Sequence, residues 1–276
     1  MRAGLMRATA RRAAGAVLGL VLLVSLSAEW VAGSPQQQHR ESVNEPPSAR
    51  FWLGTDALGR DRFARLAHGT RVSLLMAPAA ALLAVVCAAA AGCLAATKGR
   101  AADAALMGAA DLTLSMPWLF LLLTVRAALP LDVSSWVSIL ITFTLLGLVG
   151  WAAPARVIRA QVLEVLASDY VLAARSRGLS RSQVLVRHVL PNTRPILQAQ
   201  FWSSLPLFVL AEANLGLLGL GVAEPTPSWG AMLRELEHCL ANGEAIAANY
   251  WLLATPALIV LSILSLSVLF PSRYPT

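Results

Sequence analysis

Charged residues are scarce in this sequence. Only 13% of its 276 residues are Asp, Glu, Lys or Arg, whereas about a quarter of a typical soluble domain is charged. The charges lie in groups between long apolar runs, and 57% of the chain is hydrophobic. The mean hydropathy of +0.64 agrees with this pattern. The composition therefore excludes an ordinary soluble domain and favours an all-α, polytopic membrane protein.

Residues for catalysis or metal binding are equally sparse. The three cysteines, Cys87, Cys93 and Cys239, form no CxxC pair, so the sequence indicates neither a zinc site nor a disulfide framework. The only lysine, Lys98, does not follow a Gly-rich turn, so the chain has no phosphate-binding loop. We therefore expect no catalysis, no metal and no cofactor bound by this chain. Any ATP that drives the protein must be hydrolysed on another chain.

The basic residues give the chain a net charge of +7. They flank apolar segments and form no patch interleaved with aromatic residues, so we expect no nucleic-acid partner. Membrane topology explains them better, because cytoplasmic loops are enriched in Lys and Arg. If the N-terminus is inside, most of the 22 basic residues fall in cytoplasmic segments. The pattern predicts that both termini are cytoplasmic.

Six apolar stretches could cross a hydrocarbon core of about 30 Å, which takes about 20 helical residues. They cover residues 13–32, 72–97, 104–125, 136–155, 196–221 and 246–270. The third contains Asp111 and Pro117 and is expected to start late or to bend. The first follows several arginines, so it resembles either a secretory signal peptide or an uncleaved signal-anchor. The five later spans favour the signal-anchor.

The predicted external loop, residues 33–71, has two parts. Residues 34–47 are rich in Gln and Pro and are expected to form a flexible lead. Thr55 or Asp56 can then cap a short amphipathic helix that lies on the membrane surface and ends near Arg71.

The predicted internal loop, residues 156–194, carries a more specific pattern. A helical pattern covers residues 161–177, Gly178 interrupts it, and a second helix, capped by Ser180 or Ser182, is expected to end at Pro191. Two short helices joined at a glycine form an elbow that offers a surface to a cytoplasmic partner. From the spacing alone, Gly178 and Pro191 could equally be simple helix terminators.

This loop resembles the EAA loop of ABC-importer permeases. The matching residues are Asp169-Tyr-Val-Leu-Ala-Ala-Arg-Ser-Arg-Gly178, followed after nine residues by His188-Val-Leu-Pro191-Asn192. The usual Glu of the motif is Leu172 here, a departure that is common in the peptide-importer branch. The resemblance implies that an ATPase-coupling loop includes Asp169, Tyr170, Ala173, Ala174, Gly178, His188, Leu190 and Pro191.

Two further blocks narrow the resemblance to one branch of that family. The segment Leu53-Gly-Thr-Asp-Ala-Leu-Gly-Arg-Asp61 is similar to the region before the second span of dipeptide and oligopeptide permeases. The segment Glu212-Ala-Asn-Leu-Gly-Leu-Leu-Gly-Leu-Gly221, with Pro225-Thr-Pro-Ser-Trp-Gly230, is similar to their outer loop after the fifth span. The branch is that of the C-type permease subunit of dipeptide, oligopeptide and nickel importers.

The resemblance implies a type I ABC-importer permease fold in a bacterial inner membrane. Its parts would be a cytoplasmic stub with a signal-anchor span (1–32), an external loop (33–71) and a five-span permease core (72–270) containing the coupling loop (156–194). The implied partners are membrane lipid, a second homologous permease, two cytoplasmic ATPase subunits that bind ATP and Mg, and an external solute-binding protein. The sequence does not identify the substrate.

Several polar residues near the external side allow two interpretations each. Glu212 could lie beside the path or lock an external gate, or it could bond to the Gly-rich turn near the interface. Trp229 could contact a binding protein or anchor in the interface, and the segment from Asp56 to Arg71 could dock a binding protein or pack on the membrane. Asp111 could bind substrate, but an ion pair at the helix end with Lys98 or Arg100 is favoured. The residues assigned to an external gate or binding-protein contact are Asp56, Arg60, Asp61, Glu212 and Trp229.

The main alternative function is a secondary transporter or channel that needs no ATPase. It predicts clustered polar groups within several spans and inverted internal repeats. The sequence shows no convincing repeat, and its intramembrane acids are isolated. A membrane-embedded enzyme is disfavoured because no His, Cys or acid cluster lies within a span.

Overall fold

The computed structural model describes residues 2–130, 133–241 and 250–270 of the chain. Within these ranges the structure is helical, with two isolated β-bridges in the loop before the longest helix. The α-helices are α1 (Arg2–Leu26), α2 (Ala28–Val31), α3 (Arg62–Thr97), α4 (Arg100–Ser115), α5 (Trp118–Ala128), α6 (Ser135–Val149), α7 (Ala152–Leu166), α8 (Asp169–Ser176), α9 (Arg181–Val184), α10 (Leu190–Leu217), α11 (Trp229–Ala241) and α12 (Ala254–Leu269). A π-helical turn, Leu185–Val189, precedes α10, and a 3-10 turn, Tyr250–Leu253, precedes α12.

Between three and five spans can be counted in the described part of the chain. Three helical stretches are long and apolar enough to cross a membrane: Ala8–Leu26, Arg62–Thr97 and Trp251–Leu269. The pairs α4–α5 and α6–α7 are each bent, by 93° and 42°, and each pair would add one span. The all-helical polytopic fold is confirmed, whereas the number six is not. The predicted start of the last span, residue 246, and the basic residue Arg273 lie outside the described ranges.

The prediction of a separate surface helix that ends near Arg71 is wrong, because one helix, α3, begins at Arg62 and continues through the apolar stretch. It runs without a break through 36 residues, a length of about 54 Å, well beyond the hydrocarbon thickness. Its first turns carry Arg62, Arg65 and Arg71, and charges at the start of so long a helix need protein partners or water instead of lipid. Asp61 caps the helix by accepting the N–H of Phe63 at 2.8 Å. Apolar residues mark where a helix is in lipid, but not where it begins.

The predicted bend in the third span is confirmed and is sharper than a kink. The chain leaves α4 at Ser115, passes through extended Met116 and Pro117, and re-enters a helix at Trp118. A proline cannot donate a backbone hydrogen bond and disfavours helical geometry in the residue before it. Two short helices at a large angle result.

The loop before α3 is ordered by hydrogen bonds, in contrast to the flexible lead expected from its composition. His39 N–H donates to Gly59 O at 2.9 Å, and Thr55 N–H donates to Glu45 O at 3.0 Å. The fully buried Thr55 hydroxyl adds a bond to Ser42 O at 2.5 Å. Residues 38–47 are thereby fixed onto residues 55–60.

Two hydrophobic clusters lie toward opposite ends of α3. The larger one joins the first half of α3 to α6, α10, α11 and α12. The smaller one joins Ala88 and Ala91 of α3 to α7 and to the short helices that follow it. The small residues of α3 let α7 approach closely, since a Cβ on Gly92 would stand 2.9 Å from Ala155 O.

Candidate functional site

The segment between α7 and α10, residues 167–189, forms an elbow, but the predicted helix over residues 161–177 is divided, because α7 ends at Leu166 and α8 begins at Asp169. Its first helix, α8, ends at Ser176, and Gly178 follows with φ of +87°, a conformation that favours glycine. Ser180 then caps α9 in a capping box with Gln183. The predicted break at Gly178 and the cap at Ser180 are therefore confirmed.

The predicted end of the second helix at Pro191 is wrong. Instead of stopping a helix, Pro191 lies in the first turn of α10, where its missing N–H costs nothing. The helix then continues through Pro195 and Pro206 to Leu217. The elbow therefore passes directly into a long helix.

The elbow is anchored by three buried valines. Val171, Val184 and Val189 are each 0–1% exposed and pack in the smaller hydrophobic cluster with Ile158 and Val162 of α7. Movement of the elbow must therefore displace α7, because a close-packed cluster does not shear freely.

The residues predicted to couple to an ATPase lie mostly on the outer surface of this elbow. Asp169, Tyr170, Ala173, Gly178, Leu190 and Pro191 are exposed, His188 is half-buried, and Ala174 is buried. The rings of Tyr170 and His188 lie 6.1 Å apart between centroids. Leu172, which replaces the usual Glu of the motif, is 51% exposed. The surface offered to a partner is therefore a mixture of apolar groups and the arginines of the elbow.

A cavity of about 450 Å³ lies where the two bent helix pairs meet α10. Its lining includes Thr113, Pro117, Gly150, Gln200, Ser203 and Ser204. Most of the lining is apolar, Gln200 and three hydroxyl side chains add polar groups, and no charged side chain among the described residues lines the cavity. An apolar wall with a few placed polar groups is the usual lining of a small-molecule site.

Both helices that leave the elbow reach this cavity. The first residues of α7, from Ala152 to Pro154, line it on one side, and the middle of α10, from Gln200 to Phe208, lines it on another. A displacement at the elbow can therefore change the shape of the cavity through two rigid helices.

Two cross-helix ion pairs hold α4 to α7 near the elbow. Asp103 pairs with Arg159, and Asp111 pairs with Arg156 at 2.6 Å. Asp111 thus forms the expected kind of interaction, but its partner comes from α7 instead of being Lys98 or Arg100.

A cluster of paired charges, most of them buried, lies at the opposite end of the molecule. Asp56 accepts Arg60 Nε at 2.6 Å and faces Arg65 Nε at 3.7 Å, while Glu224 accepts Arg60 at 2.9 Å and Arg65 at 3.1 Å. We call Asp56, Arg60, Arg65 and Glu224 the outer ionic cluster, where outer means the end of the molecule away from the elbow. It joins the loop before α3 to the turn between α10 and α11, so two of the three sequence blocks meet here.

The electrostatics of this end follow from burial and pairing. Burial alone would raise the pKa of Glu224, but the charges and hydrogen bonds of Arg65 and Arg60 more than offset it, so its pKa lies below the usual value. Burial raises the pKa of Asp61, and the N–H groups of Phe63 and Ala64 offset only part of this effect.

Glu212 and Trp229 lie together beside this cluster and are both completely buried. Ser73 donates to Glu212 Oε2 at 2.7 Å, and Trp229 Nε1 donates to Thr70 Oγ1 at 2.9 Å. Trp229 cannot contact a binding protein or anchor in the interface, because both roles need an exposed ring. Of the five predicted gate residues, Asp56 and Arg60 belong to the outer ionic cluster, and Asp61 caps α3. Glu212 and Trp229 are joined through Ser73, which donates to Glu212 and accepts the backbone N–H of Trp229.

Arg126, at the end of α5, was not singled out by the sequence. Its side chain is 1% exposed, although the apolar run before it suggested only that a span had ended. The sequence did contain a sign of its burial. Arg126 directly follows eight uncharged residues, Trp118 to Val125, and lies four positions before Pro130. A charge placed there must be solvated by the protein.

The comparisons with known proteins agree on one class. Residues 72–271 match the family described as "binding-protein-dependent transport system inner membrane component". The chain is 34% identical over 267 residues to the di/tripeptide transport system permease of Pseudomonas aeruginosa, and the alignment covers 93% of this chain and 84% of that protein. It is 32% identical to the dipeptide transport system permease of Bacillus subtilis, over 89% of this chain and 75% of that protein. It is 34% identical to the oligopeptide transport system permease of the same organism, over 69% of this chain and 61% of that protein.

Among the described residues, no group of three His, Cys, Asp or Glu side chains could hold a metal.

Proposed function

Because the chain belongs to the family of inner-membrane components of binding-protein-dependent transport systems, we propose that it is one of two permease subunits of an ATP-driven importer for peptides or similar small solutes. The relatives named for dipeptide, di/tripeptide and oligopeptide transport support this substrate class. Nickel chelates remain within the range that the sequence resemblance implies.

The single observation that carries the proposal is the continuity between the elbow and the cavity. The elbow exposes one surface to a partner and is buried on the other against α7. It is continuous in sequence with α7 and α10, which both line the cavity. Closure of ATPase subunits against the elbow would then move these helices as rigid bodies and open the cavity to the other side.

The coupling surface in this proposal consists of the exposed residues of the elbow. Tyr170, Ala173 and the tip at Gly178 would contact an ATPase, whereas Ala174 would support α8 from below. ATP and Mg would be bound by the ATPase subunits.

The proposed topology has six spans with both termini in the cytoplasm. The span to be added to the five counted above is α10, the fifth in chain order, which is about 42 Å long at 1.5 Å per residue but carries Arg194 and Glu212 within it. Its polar groups are tolerable where they face protein or water instead of lipid. In this arrangement α1 is a signal-anchor, the elbow is cytoplasmic and the outer ionic cluster faces the binding protein.

The partners follow from the same arrangement. A second, homologous permease would close the open side of the cavity, two ATPase subunits would lie below the elbow, and a solute-binding protein would deliver substrate at the outer end. Membrane lipid would surround the apolar faces of α1, α3 and α12.

Uptake by reconstituted vesicles tests the proposal. The complex purified through a tag on this chain is placed in proteoliposomes, and entry of a radiolabelled dipeptide is measured with binding protein and either ATP or ADP. We expect uptake only with ATP and binding protein. Uptake by the chain alone, driven by an ion gradient without ATP, would instead establish a secondary transporter.

A cavity variant makes the same assay specific to the path. Ser203→Trp places a large side chain in the cavity, and we expect at least a tenfold loss of uptake without loss of assembly. Leu261→Trp on α12, where the native side chain is 48% exposed and away from the cavity, is the control. Equal uptake by both variants would show that the cavity is not the path.

A further inference from the structure

Arg126 is a buried charge without an acidic partner among the described residues. Its side chain is 1% exposed, and its Nη atoms contact only neutral oxygens: Pro130 O at 3.2 Å, Ser138 Oγ at 3.3 Å and Gly221 O at 3.5 Å. Its Nε has no hydrogen-bond partner within the described part of the chain. An arginine stays protonated even when buried, so this charge is solvated by weak, long contacts.

Arg126 lines a cavity of about 140 Å³ at the outer end of the molecule. The other walls are the glycine-rich turn after α10, the first turns of α11, Glu224 and Arg234. Arg234 lies across the turn from Arg126, and a Cβ on Gly219 would stand 2.8 Å from its Nη1. Two guanidinium groups on different helices therefore face one small space.

The neighbouring acids do not neutralise these two arginines. Glu224 is already paired with Arg60 and Arg65, and Asp56 is paired with Arg60. Neither Arg126 nor Arg234 forms an ion pair with any described residue. Among the groups that the structure describes, the cavity consequently has an excess of positive charge and hydrogen-bond donors.

We propose that this cavity binds the C-terminal carboxylate of a peptide as it enters from the outer side. The inference rests on the proposed function, since it takes the solute to be a peptide. A guanidinium fork matches the two oxygens of a carboxylate, and charge-assisted bonds of this kind are about twice as strong as neutral ones.

The size of the cavity favours one end of a peptide over a whole peptide. A volume of 140 Å³ is that of about four or five water molecules, enough for a carboxylate and the atoms next to it. The rest of the peptide would remain in the wider space outside. The site would thus recognise a feature that every free peptide shares and would leave the side chains unread.

Ligand-dependent thermal stability of the full chain in nanodiscs tests this site without requiring transport. The probes are alanyl-alanine, alanyl-alanine amide, which lacks the carboxylate, and sodium chloride at matched ionic strength. We expect alanyl-alanine to raise the unfolding midpoint in a saturable manner, and the amide and chloride to have little effect.

Three variants identify the residues responsible. Arg126→Gln and Arg234→Gln should each weaken the apparent affinity for alanyl-alanine about tenfold. Arg71→Gln removes an arginine at the same end that pairs with Glu29 instead of lining the cavity, and it should bind as the native chain does. Because Arg234 is exposed, its variant folds even if the loss of buried Arg126 does not allow folding.

The site is disproved if the amide or chloride matches alanyl-alanine, or if Arg234→Gln binds with native affinity. Failure of ATP-driven uptake in the vesicle assay is a separate result, which removes the proposed function while this binding measurement still reports on the cavity.

Discussion

At the scale of single residues, the outer end of the molecule depends on buried charges that are paired across distant parts of the sequence. Asp56 and Arg65 are 2% and 1% exposed, and removing one member of such a cluster leaves its partner charged and desolvated. Glu224 is the most exposed member, with 54% of its side chain open to solvent. It is therefore the member whose own charge is open to water, and its removal leaves buried Arg65 facing Asp56 at 3.7 Å.

Glu224→Gln tests this cluster through its pH dependence. Because the folded pKa of Glu224 is lowered, its contribution to stability is complete above the ordinary value of 4.5 and is lost as the pH falls through the folded value. We expect the variant to unfold about 1 kcal/mol more easily at pH 7, near the upper end for an ion pair open to water. The measurement is thermal unfolding of the detergent-solubilised chain from pH 7 down to below 4.5.

The difference between native and variant should shrink as the pH falls through this window. Glu237→Gln, on the exposed side of α11, is the matched control and should show no such change. A difference that stays constant with pH would contradict the assigned role of Glu224.

Residue types near this end were predictable, but their pairing was not. The sequence singled out Asp56, Arg60, Glu212 and Trp229 as residues of an external gate or a binding-protein contact. It could not show that Trp229 is buried, because its partner Thr70 lies 159 positions away. Long-range pairing depends on how helices pack, which a local pattern does not contain.

At the scale of elements, close helix crossings explain why glycine occurs where it does. The start of α11 crosses α10 at Gly216, and a Cβ on Gly230 would stand 2.6 Å from Gly216 Cα. This contact brings Trp229 against α3 and positions the turn that contains Glu224. Small residues at a crossing let two backbones approach within contact distance.

Gly216→Ala tests this crossing. The added methyl group has no room, and we expect a loss of about 1–3 kcal/mol in the free energy of unfolding, as for other overpacked sites. Gly108→Ala on α4 is the control, since no atom lies within 4 Å of its Cβ position. For Gly108→Ala we expect the free energy of unfolding to rise by about 0.5–1 kcal/mol, because alanine loses less backbone entropy than glycine on folding. Equal effects at both sites would contradict the packing account.

The sequence predicted where apolar helices occur better than where helices begin and end. Apolar runs located most of the spans, Pro117 predicted the bend, and Gly178 predicted the break in the elbow. The continuous start of α3 at Arg62 and the start of α10 at Leu190 were missed, because polar helical turns outside the membrane lack an apolar signature. The helix α11 was missed for the same reason.

At the scale of the whole molecule, the two ends differ in structure and are connected by long helices. The outer end is held by buried ion pairs, and the opposite end presents the elbow on a base of packed valines. Between them lies the cavity, lined by helices that continue into the elbow. The account therefore makes the elbow the point at which an ATPase acts on the path.

Affinity purification of the tagged chain from solubilised membranes tests that claim most directly, with Gly178→Pro compared to Gly99→Pro. Both glycines have positive φ and open space around them, and proline cannot adopt that conformation, but only Gly178 lies in the elbow. We predict that the native chain and Gly99→Pro co-purify with a second permease and ATPase subunits, whereas Gly178→Pro keeps the permease and loses most of the ATPase. A native chain that purifies alone, under conditions that preserve other membrane complexes, would contradict the account.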